Sequence, residues 1–237
     1  MTEDNKTVES SNHDIHSFEV SELTTSRYIN PYRLQFRHNS QKRVWDGIIS
    51  FPSVSCILYH TVRESVILVR QFRPVVYVNQ LLESQASNQN DETKVFNKIN
   101  GIDWSKAHPN EAFTYELCAG ICDKNKSLEE TIKEEIMEEC GFDVDIKNVH
   151  KVRSFRVGVG LIGCLHTIFY AEVDESMKIG SGGGNQYEGE FIDLYEIHKD
   201  SIREFLDDES KQKPPGLLYG LMWFLYEREH FLLKSKK

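Results

Sequence analysis

The chain has 237 residues, of which 39% are hydrophobic and 11% aromatic, so it can bury a sizeable core as a globular protein. Its formal net charge is −9 at pH 7, which argues against a broad basic surface for nucleic acid and leaves room for a local cationic site. The five cysteines are odd in number and lack C-x-x-C or zinc spacing, which predicts reduced thiols and a reducing compartment.

The N-terminal segment, residues 1–26, is polar and has no apolar core typical of a signal peptide. We predict that it is disordered or extended. The longest nearly apolar stretch, residues 216–226, is too short to span a bilayer. A cytoplasmic protein without a membrane partner is therefore expected.

β-strand patterns begin near Val44, and two β-branched runs at 53–59 and 65–72 predict a hairpin. The polar stretch 79–110 is interpreted as an insertion that is too short and too polar to hold its own core. Further strands are predicted at 113–118, 149–155, 165–173 and 190–197, and a C-terminal helix at 217–233.

This order of elements predicts an α/β or α+β fold in which a mixed sheet lies between helices. Residues 27–237 would form one domain that carries the insertion. The segment 179–190 contains the run Gly182-Gly183-Gly184, which predicts a mobile loop before the last strand.

The helix that carries the candidate chemistry is bounded by two local signals. Ser127 and Glu130 form an S-x-x-E capping box, and Gly141 occupies the position of a left-handed C-terminal cap. These signals predict a helix from Leu128 to Cys140, about 20 Å long at 1.5 Å per residue.

Helical spacing places the carboxylates Glu135, Glu138 and Glu139 on one face. An adjoining apolar stripe, which can pack on the sheet, consists of Ile132, Ile136 and Cys140. A solvated acidic face is the alternative, but like-charged pairs four residues apart each cost about 0.2–0.5 kcal/mol. A hard divalent cation would offset this repulsion, because such ions prefer oxygen ligands.

The stretch 120–142 is similar to the Nudix box, G-x5-E-x7-R-E-U-x-E-E-x-G-U, in which U is a bulky apolar residue. Seven residues stand at their box positions: Gly120, Glu135, Ile136, Glu138, Glu139, Gly141 and Phe142. Two positions depart from the box, because Lys126 replaces its first Glu and Glu134 replaces its Arg. Since both charges are reversed, we hypothesise a reciprocal swap in which Lys126 folds back toward Glu134.

Motifs outside the box resemble the nucleoside-diphosphate-sugar branch of the Nudix hydrolases and, within it, the uridine diphosphate glucose pyrophosphatases of animals. They are Gln71-Phe72-Arg73-Pro74, the run from Glu116 to Gly120, and Gly189-Glu190-Phe191. The likeness extends from about Arg27 to Tyr226 and includes the insertion. It implies a Nudix fold and a homodimer in which N-terminal strands are exchanged and contribute to the base pocket.

The resemblance also implies a metal site for Mg²⁺, with Mn²⁺ as a possible substitute. Glu135, Glu139 and the backbone carbonyl of Ala119 would be ligands, and Glu138 would complete or orient the cluster. A glutamate on the late loop would act as a further ligand or base. Glu190 matches best, and Glu188 is the near alternative.

For the substrate, the resemblance implies that Arg73 binds phosphate, that Trp45 stacks on the base and that Ile121 also contacts the ligand. The alternatives are a salt bridge at the sheet end for Arg73 and a core position for Trp45. His166 alternates with apolar neighbours in a strand, which favours a structural role.

The expected reaction is hydrolysis of UDP-glucose to UMP and glucose 1-phosphate. An ADP-ribose or ADP-sugar pyrophosphatase is the nearest alternative enzyme, because the metal site would be shared. A Nudix fold that binds a nucleotide sugar with little or no cleavage is the alternative from another class of function.

Overall fold

The protein, a computed structural model, is described for residues 13–85, 99–106 and 108–235. A mixed sheet of seven strands forms its centre, and a separate two-stranded sheet precedes it. The separate pair is β1 (Asn30–His38) and β2 (Gln41–Ile49). The central strands are β3 (Ser53–His60), β4 (Ser65–Phe72), β5 (Phe113–Glu116), β6 (Cys118–Ile121), β7 (His150–Val157), β8 (Cys164–Val173) and β9 (Ile192–His198).

The hairpin β3–β4 opens away from its turn, and the chain segment of β5 and β6 fills the gap. β3 and β4 pair with each other only beside the turn, over Leu58–His60 and Ser65–Ile67. Farther out, β5 pairs with β4 and β6 pairs with β3, both antiparallel. On its other side, β3 pairs with β8 in parallel. Ala119 and Gly120 therefore lie where the sheet divides.

Helices cover both faces of the central sheet. On one face, α2 (Leu128–Glu135) packs Ile132 against a core that includes Val54 and Leu58. On the other face, α4 (Pro215–Tyr226) packs Leu221 and Phe224 against Ile57. The helices α3 (Ile202–Asp207) and α5 (Arg228–Ser235) join this second face. The expected architecture, a mixed sheet between helices, is confirmed.

The acidic helix begins and ends at the predicted residues, but its last turn is of a different type. Ser127 and Glu130 form both hydrogen bonds of the capping box. The α-helix stops at Glu135, and a π-helical turn follows at Ile136–Cys140 before Gly141 reverses the chain with φ of 75°. The predicted core stripe is correct, because Ile132, Ile136 and Cys140 are fully buried.

The wider last turn is stabilised from outside the helix. The backbone N–H groups of Gly183 and Gly184 donate to the carbonyls of Glu139 and Glu138. Such carbonyls at a helix end need partners from elsewhere in the chain. The loop that contains Gly183 and Gly184 supplies these partners. The sequence of the helix or of the loop taken separately does not reveal these hydrogen bonds.

Several elements differ from the sequence prediction. The predicted helix at 217–233 is two helices, α4 and α5, which are separated at Glu227. The strand β1 and the helices α1 (Pro74–Ser84) and α3 were not predicted. Among the described residues, no helix has the length and apolar character needed to cross a membrane.

The stretch interpreted as a polar insertion contributes to a small buried cluster. Tyr77 and Leu81 of α1 pack with Ile102 and Ala112. Ile102, an apolar residue of the insertion, therefore packs on α1, a helix that begins before the insertion. In this way the polar stretch contributes to a buried core. Residues 86–98 of the insertion lie outside the described part of the chain.

Candidate active site

The loop before α2 brings the carboxylate of Glu135 directly over Gly120. A Cβ atom at position 120 would overlap this carboxylate, so only glycine allows the approach. From the π-helical turn, Glu139 reaches the same strand, where its Oε2 accepts a hydrogen bond of 2.9 Å from the N–H of Ala119. Glu139 is only 3% exposed.

Burial and mutual repulsion change the acidity of these two carboxyls. Burial raises the pKa of Glu135 to about 7, and the neighbouring Glu138 and Glu190 add to the rise. Burial also raises the pKa of Glu139 to about 8, with further contributions from Glu135 and Glu190. Both shifts arise because anions are desolvated and lie close together. The cluster therefore favours bound protons or a cation at neutral pH.

A single cleft of about 760 Å³ contains most of the predicted site residues. Those that line it are Arg73, Ala119, Ile121, Glu135, Glu138, Glu139 and Glu190. Trp45 is not in the lining. Its indole N–H donates to the carbonyl of Gly160 at 2.9 Å, and the residue is 48% exposed, so it is not a core tryptophan either. Its contact with a base stays a prediction.

Arg73 combines the two interpretations that the sequence left open. Its guanidinium donates two parallel hydrogen bonds of 2.7 Å to Glu116, which is a salt bridge between the residue that follows β4 and the end of β5. Its side chain nevertheless remains 43% exposed and faces the cleft. Glu116 also raises the pKa of Arg73. The salt bridge thus fixes a permanently charged group at the cleft wall.

The late loop is held at its base by the acidic helix. Besides the bonds from Gly183 and Gly184 to the π-helical turn, Ile179 donates its N–H to the carbonyl of Gly141. Farther along, Glu190 Oε2 accepts from the N–H of Asn185 at 3.2 Å. Glu190 lines the cleft. The side chain of Glu188 lies outside the described part of the structure.

His166 lies between two serine hydroxyls at the floor of the cleft. Its Nδ1 is 2.7 Å from Ser53 Oγ, and its Nε2 is 2.9 Å from Ser55 Oγ. Burial lowers the pKa of His166. A neutral imidazole with both nitrogens occupied fits the structural role that the strand pattern favours.

Several lining residues escaped the sequence prediction, namely Arg27, Tyr28, Ser53, Gln71, Asp123 and Lys124. Arg27 donates to Asp123 at 2.7 Å across a separation of 96 residues. No local pattern could indicate such a pair. Gln71 is itself part of the motif Gln71-Phe72-Arg73-Pro74, although it was given no site role.

A second cavity of about 540 Å³ adjoins the cleft. It shares Glu116, Ala119 and His166 with the cleft, so the two spaces meet beside the expected metal ligands. Its walls are mainly apolar, with Phe155 and Pro215 among the lining residues.

The two positions that depart from the box form an ion pair. Lys126 Nζ donates to both carboxylate oxygens of Glu134. Each side chain is about one third exposed. The geometric part of the charge-swap hypothesis, in which Lys126 folds back toward Glu134, is therefore confirmed.

The donor groups of the cleft suit a hard divalent cation. Four glutamates and the carbonyl of Ala119 offer only oxygen ligands, which Mg²⁺ and Mn²⁺ prefer. The raised pKa values of Glu135 and Glu139 arise first from burial and then from neighbouring carboxylates, so a bound cation would stabilise their ionised forms. Within the described residues, no three His, Cys, Asp or Glu side chains already converge at metal-binding distances. Rotation of the glutamates would be needed to close a coordination shell.

The chain was compared with known proteins, and no family model matches it. Uridine diphosphate glucose pyrophosphatase NUDT14 from Bos taurus is 35% identical over 211 residues, which cover 86% of this chain and 91% of the relative. The protein of the same name from Mus musculus is 33% identical, with 84% and 89% covered. GDP-mannose pyrophosphatase from Salmonella typhimurium is 30% identical over 141 residues, which are 60% and 56% of the two chains.

The sequence likeness covers most of the chain and of the first two relatives, and the carboxylate cleft stands where the Nudix box predicts it. The site residues and the similarity thus point to the same family. This chain belongs to the Nudix hydrolases, in the branch of nucleotide-sugar pyrophosphatases.

Proposed function

We propose that this protein hydrolyses the diphosphate of a UDP-sugar, with UDP-glucose as first substrate and UMP and glucose 1-phosphate as products. The observation that carries the proposal is the cluster of Glu135, Glu138, Glu139 and Glu190 in the same cleft as Arg73. Such a cleft provides metal ligands and a phosphate-binding cation together. The names of the Bos taurus and Mus musculus relatives support the choice of UDP-glucose.

Glu135, Glu139 and the Ala119 carbonyl would hold Mg²⁺, and Glu138 would complete or orient the cluster. Bound Mg²⁺ would neutralise diphosphate oxygens and acidify water. Arg73 binds a phosphate oxygen through its exposed edge while Glu116 fixes its plane. Glu190, which lines the cleft from the late loop, accepts the proton of the attacking water or adds a further ligand.

The cleft and the neighbouring cavity suit a substrate with a group on each side of a diphosphate. The cleft at Ala119 would receive the phosphates, and space extends from it on both sides. Ile121 is partly exposed in the cleft, where it would give apolar contact to one half of the substrate. A nucleotide sugar has this two-sided shape.

A product assay tests the proposed reaction. UDP-glucose, ADP-ribose and GDP-mannose should be compared at equal concentration in Mg²⁺ and in Mn²⁺, with Glu139→Gln as the inactive control. We expect UDP-glucose to give the highest kcat/KM and to release UMP with glucose 1-phosphate. Equal or reversed rates for ADP-ribose would contradict the substrate assignment. Thermal stabilisation by UDP-glucose without turnover would indicate a binding protein instead.

We also propose that the working form is a homodimer in which the β1–β2 hairpin contacts a second copy. The hairpin pairs with itself over its whole length, yet nearly all of its residues are exposed. Large apolar residues are among them, including Leu34, Val44 and Trp45. A lone two-stranded hairpin is marginal in water, and exposed apolar patches mark interaction sites. The exposed face of Trp45 could then reach the base in the partner's cleft.

Light scattering after size-exclusion chromatography tests the dimer. We expect twice the monomer mass for the native chain and a shift toward the monomer for Leu34→Glu. A monomeric native chain with full activity would contradict the proposal.

We further propose a cytoplasmic location. It is supported by the five cysteines, all of which are free. Imaging of a fluorescent fusion protein would test it, and exclusive retention in the secretory pathway would contradict it.

A further inference from the structure

Residues 13–28, here called the N-terminal strap, connect two distant parts of the protein without regular secondary structure. No helix or strand occurs between His13 and the start of β1 at Asn30. A segment without ladder or helix hydrogen bonds keeps one position only if its side chains anchor it, because ordering the chain costs conformational entropy. The strap has such anchors at both ends and in the middle.

The middle anchor is Phe18, which sits in an aromatic socket formed by Phe72, Tyr77 and Trp104. Its ring stacks on Trp104 with centroids 5.0 Å apart and planes inclined by 15°. The ring of Tyr77 lies 4.9 Å away and that of Phe72 lies 6.4 Å away. Trp104 belongs to the insertion, and Tyr77 belongs to α1 just before it.

The socket is held together by further contacts of Tyr77. Tyr77 is almost fully buried, and its hydroxyl donates to the backbone carbonyl of Trp104 at 3.3 Å. Leu81 and Ile102 complete the buried cluster below the aromatic rings. The described part of the insertion therefore closes one side of the socket, and Trp104 is the residue through which it contacts the strap.

The N-terminal anchor is His13, which contacts β9. Its Nε2 is 3.1 Å from both carboxylate oxygens of Asp193, and Arg70 donates to the same carboxylate at 2.8 Å. The ring of His13 also packs on Phe113, with centroids 5.0 Å apart. The strap is thus fixed to the sheet before it reaches the socket.

The C-terminal end of the strap forms a wall of the catalytic cleft. Arg27 and Tyr28 line the cleft together with the metal-site glutamates. Arg27 donates to Asp123, whose side chain is mostly buried in the catalytic loop. Ser26 accepts hydrogen bonds from the N–H groups of Tyr28 and Ile29, which fixes the turn into β1.

We propose that Phe18 and Trp104 are positioning residues for catalysis: the insertion anchors the strap, and the strap holds Arg27 and Tyr28 in place as a wall of the cleft. This inference rests on the proposed function for its kinetic readout. It gives the insertion a role that its polar composition did not reveal. Neither Phe18 nor Trp104 lines the cleft, so both act at a distance from the substrate.

The kinetic test uses Phe18→Ala and Trp104→Ala in the full-length protein with UDP-glucose. Each aromatic contact contributes about 0.5–1.5 kcal/mol, so we expect KM to rise by about twofold to twelvefold while kcat changes little. Phe18→Tyr and Trp104→Phe should restore KM. Leu23→Ala is the matched control, because Leu23 is 62% exposed in the same strap. A lower Tm with unchanged KM in both alanine variants would overturn the proposal.

A double variant separates positioning from general damage. If Phe18 acts by holding Arg27, then Arg27→Ala should raise KM in the native chain but add little to Phe18→Ala. Multiplicative effects would contradict the link between the two residues.

Trypsin cleavage after Arg27 provides a readout independent of activity. Cleavage should be faster in Phe18→Ala and Trp104→Ala than in Leu23→Ala. Equal cleavage rates would overturn the proposal even if the native enzyme used another substrate. If the native chain does not hydrolyse UDP-glucose but trypsin still cuts the alanine variants faster than Leu23→Ala, only the proposed function is contradicted.

Discussion

The two walls of the catalytic cleft treat charge in opposite ways. The acidic wall, formed by Glu135, Glu138, Glu139 and Glu190, places carboxylates together, and burial raises two of their pKa values. The basic wall, formed by Arg27 and Arg73, pairs each guanidinium with a carboxylate. We therefore expect the acidic wall to bind a cation, whereas each guanidinium of the basic wall already has a carboxylate partner within the chain.

This difference suggests a division of labour. We propose that repulsion within the acidic wall favours the binding of a divalent ion. The salt bridge of Arg73 leaves 43% of its side chain exposed for contact with a phosphate. Four experiments test whether the two walls differ in this way. Among the three substitutions, the expected kinetic effect decreases from Glu139→Gln to Arg73→Lys to Lys126→Glu.

The largest effect is expected from Glu139→Gln in the acidic wall. Removing a buried metal ligand should lower kcat by on the order of 10²–10³, as for other groups that stabilise transition-state charge. The same variant should melt at a higher temperature than the native chain at pH 8 in EDTA, because a buried anion is lost. The matched control is Glu129→Gln, which lies on the same helix outside the cleft lining. Full activity of Glu139→Gln would exclude Glu139 as a ligand.

Arg73→Lys tests the basic wall, and its kinetic effect should be smaller than that of Glu139→Gln. Lysine keeps the charge but loses the two parallel bonds to Glu116, so the cation is no longer held in one plane. We expect KM for UDP-glucose to rise by about 10-fold, which corresponds to about 1.4 kcal/mol. Arg153→Lys, an exposed change on β7, serves as the control. An unchanged KM would show that substrate binding does not need a guanidinium held in one plane by Glu116.

The metal-free protein should lose stability as pH rises through neutrality. The pKa values of Glu135 and Glu139 are raised from 4.5 to about 7 and about 8, so the folded state keeps protons that the unfolded chain releases. Unfolding free energy should therefore fall between about pH 5 and pH 8, by at most about 1.4 kcal/mol per pH unit for each carboxyl. Thermal melts in EDTA measure this fall, and excess Mg²⁺ should reduce it. A melting temperature that rises over this range in EDTA would contradict the assignment.

The smallest effect is expected at the ion pair of Lys126 and Glu134, which is partly exposed and screened by solvent. Such pairs contribute about 0.2–1 kcal/mol, so Lys126→Glu should lower kcat/KM by roughly twofold to fivefold. The double variant Lys126→Glu/Glu134→Arg should recover most of this loss, because it restores an opposite-charge pair. Simple additivity of the two single changes would reject the reciprocal swap.

Short-range patterns predicted the acidic helix well. The capping box and Gly141 fixed its ends because their hydrogen bonds join residues only a few positions apart. The π-helical turn could not be predicted, since its carbonyls are satisfied by the distant Gly183 and Gly184. The helix α1 was missed because its buried residues Tyr77 and Leu81 pack against Ile102 and Ala112, which are distant in the sequence.

The approach of Glu135 and Glu139 to Ala119 and Gly120 is encoded locally, because the strand end, the loop and the helix that bring them together lie within one short segment of the sequence. The rest of the cleft forms only through contacts between distant parts of the chain. Arg73 is 43 residues from Glu116, and Arg27 is 96 residues from Asp123. The raised pKa values likewise depend on desolvation by packed neighbours from the whole chain. Local hydrogen bonds are encoded by spacing, whereas burial and long-range charge pairing exist only after the chain has folded.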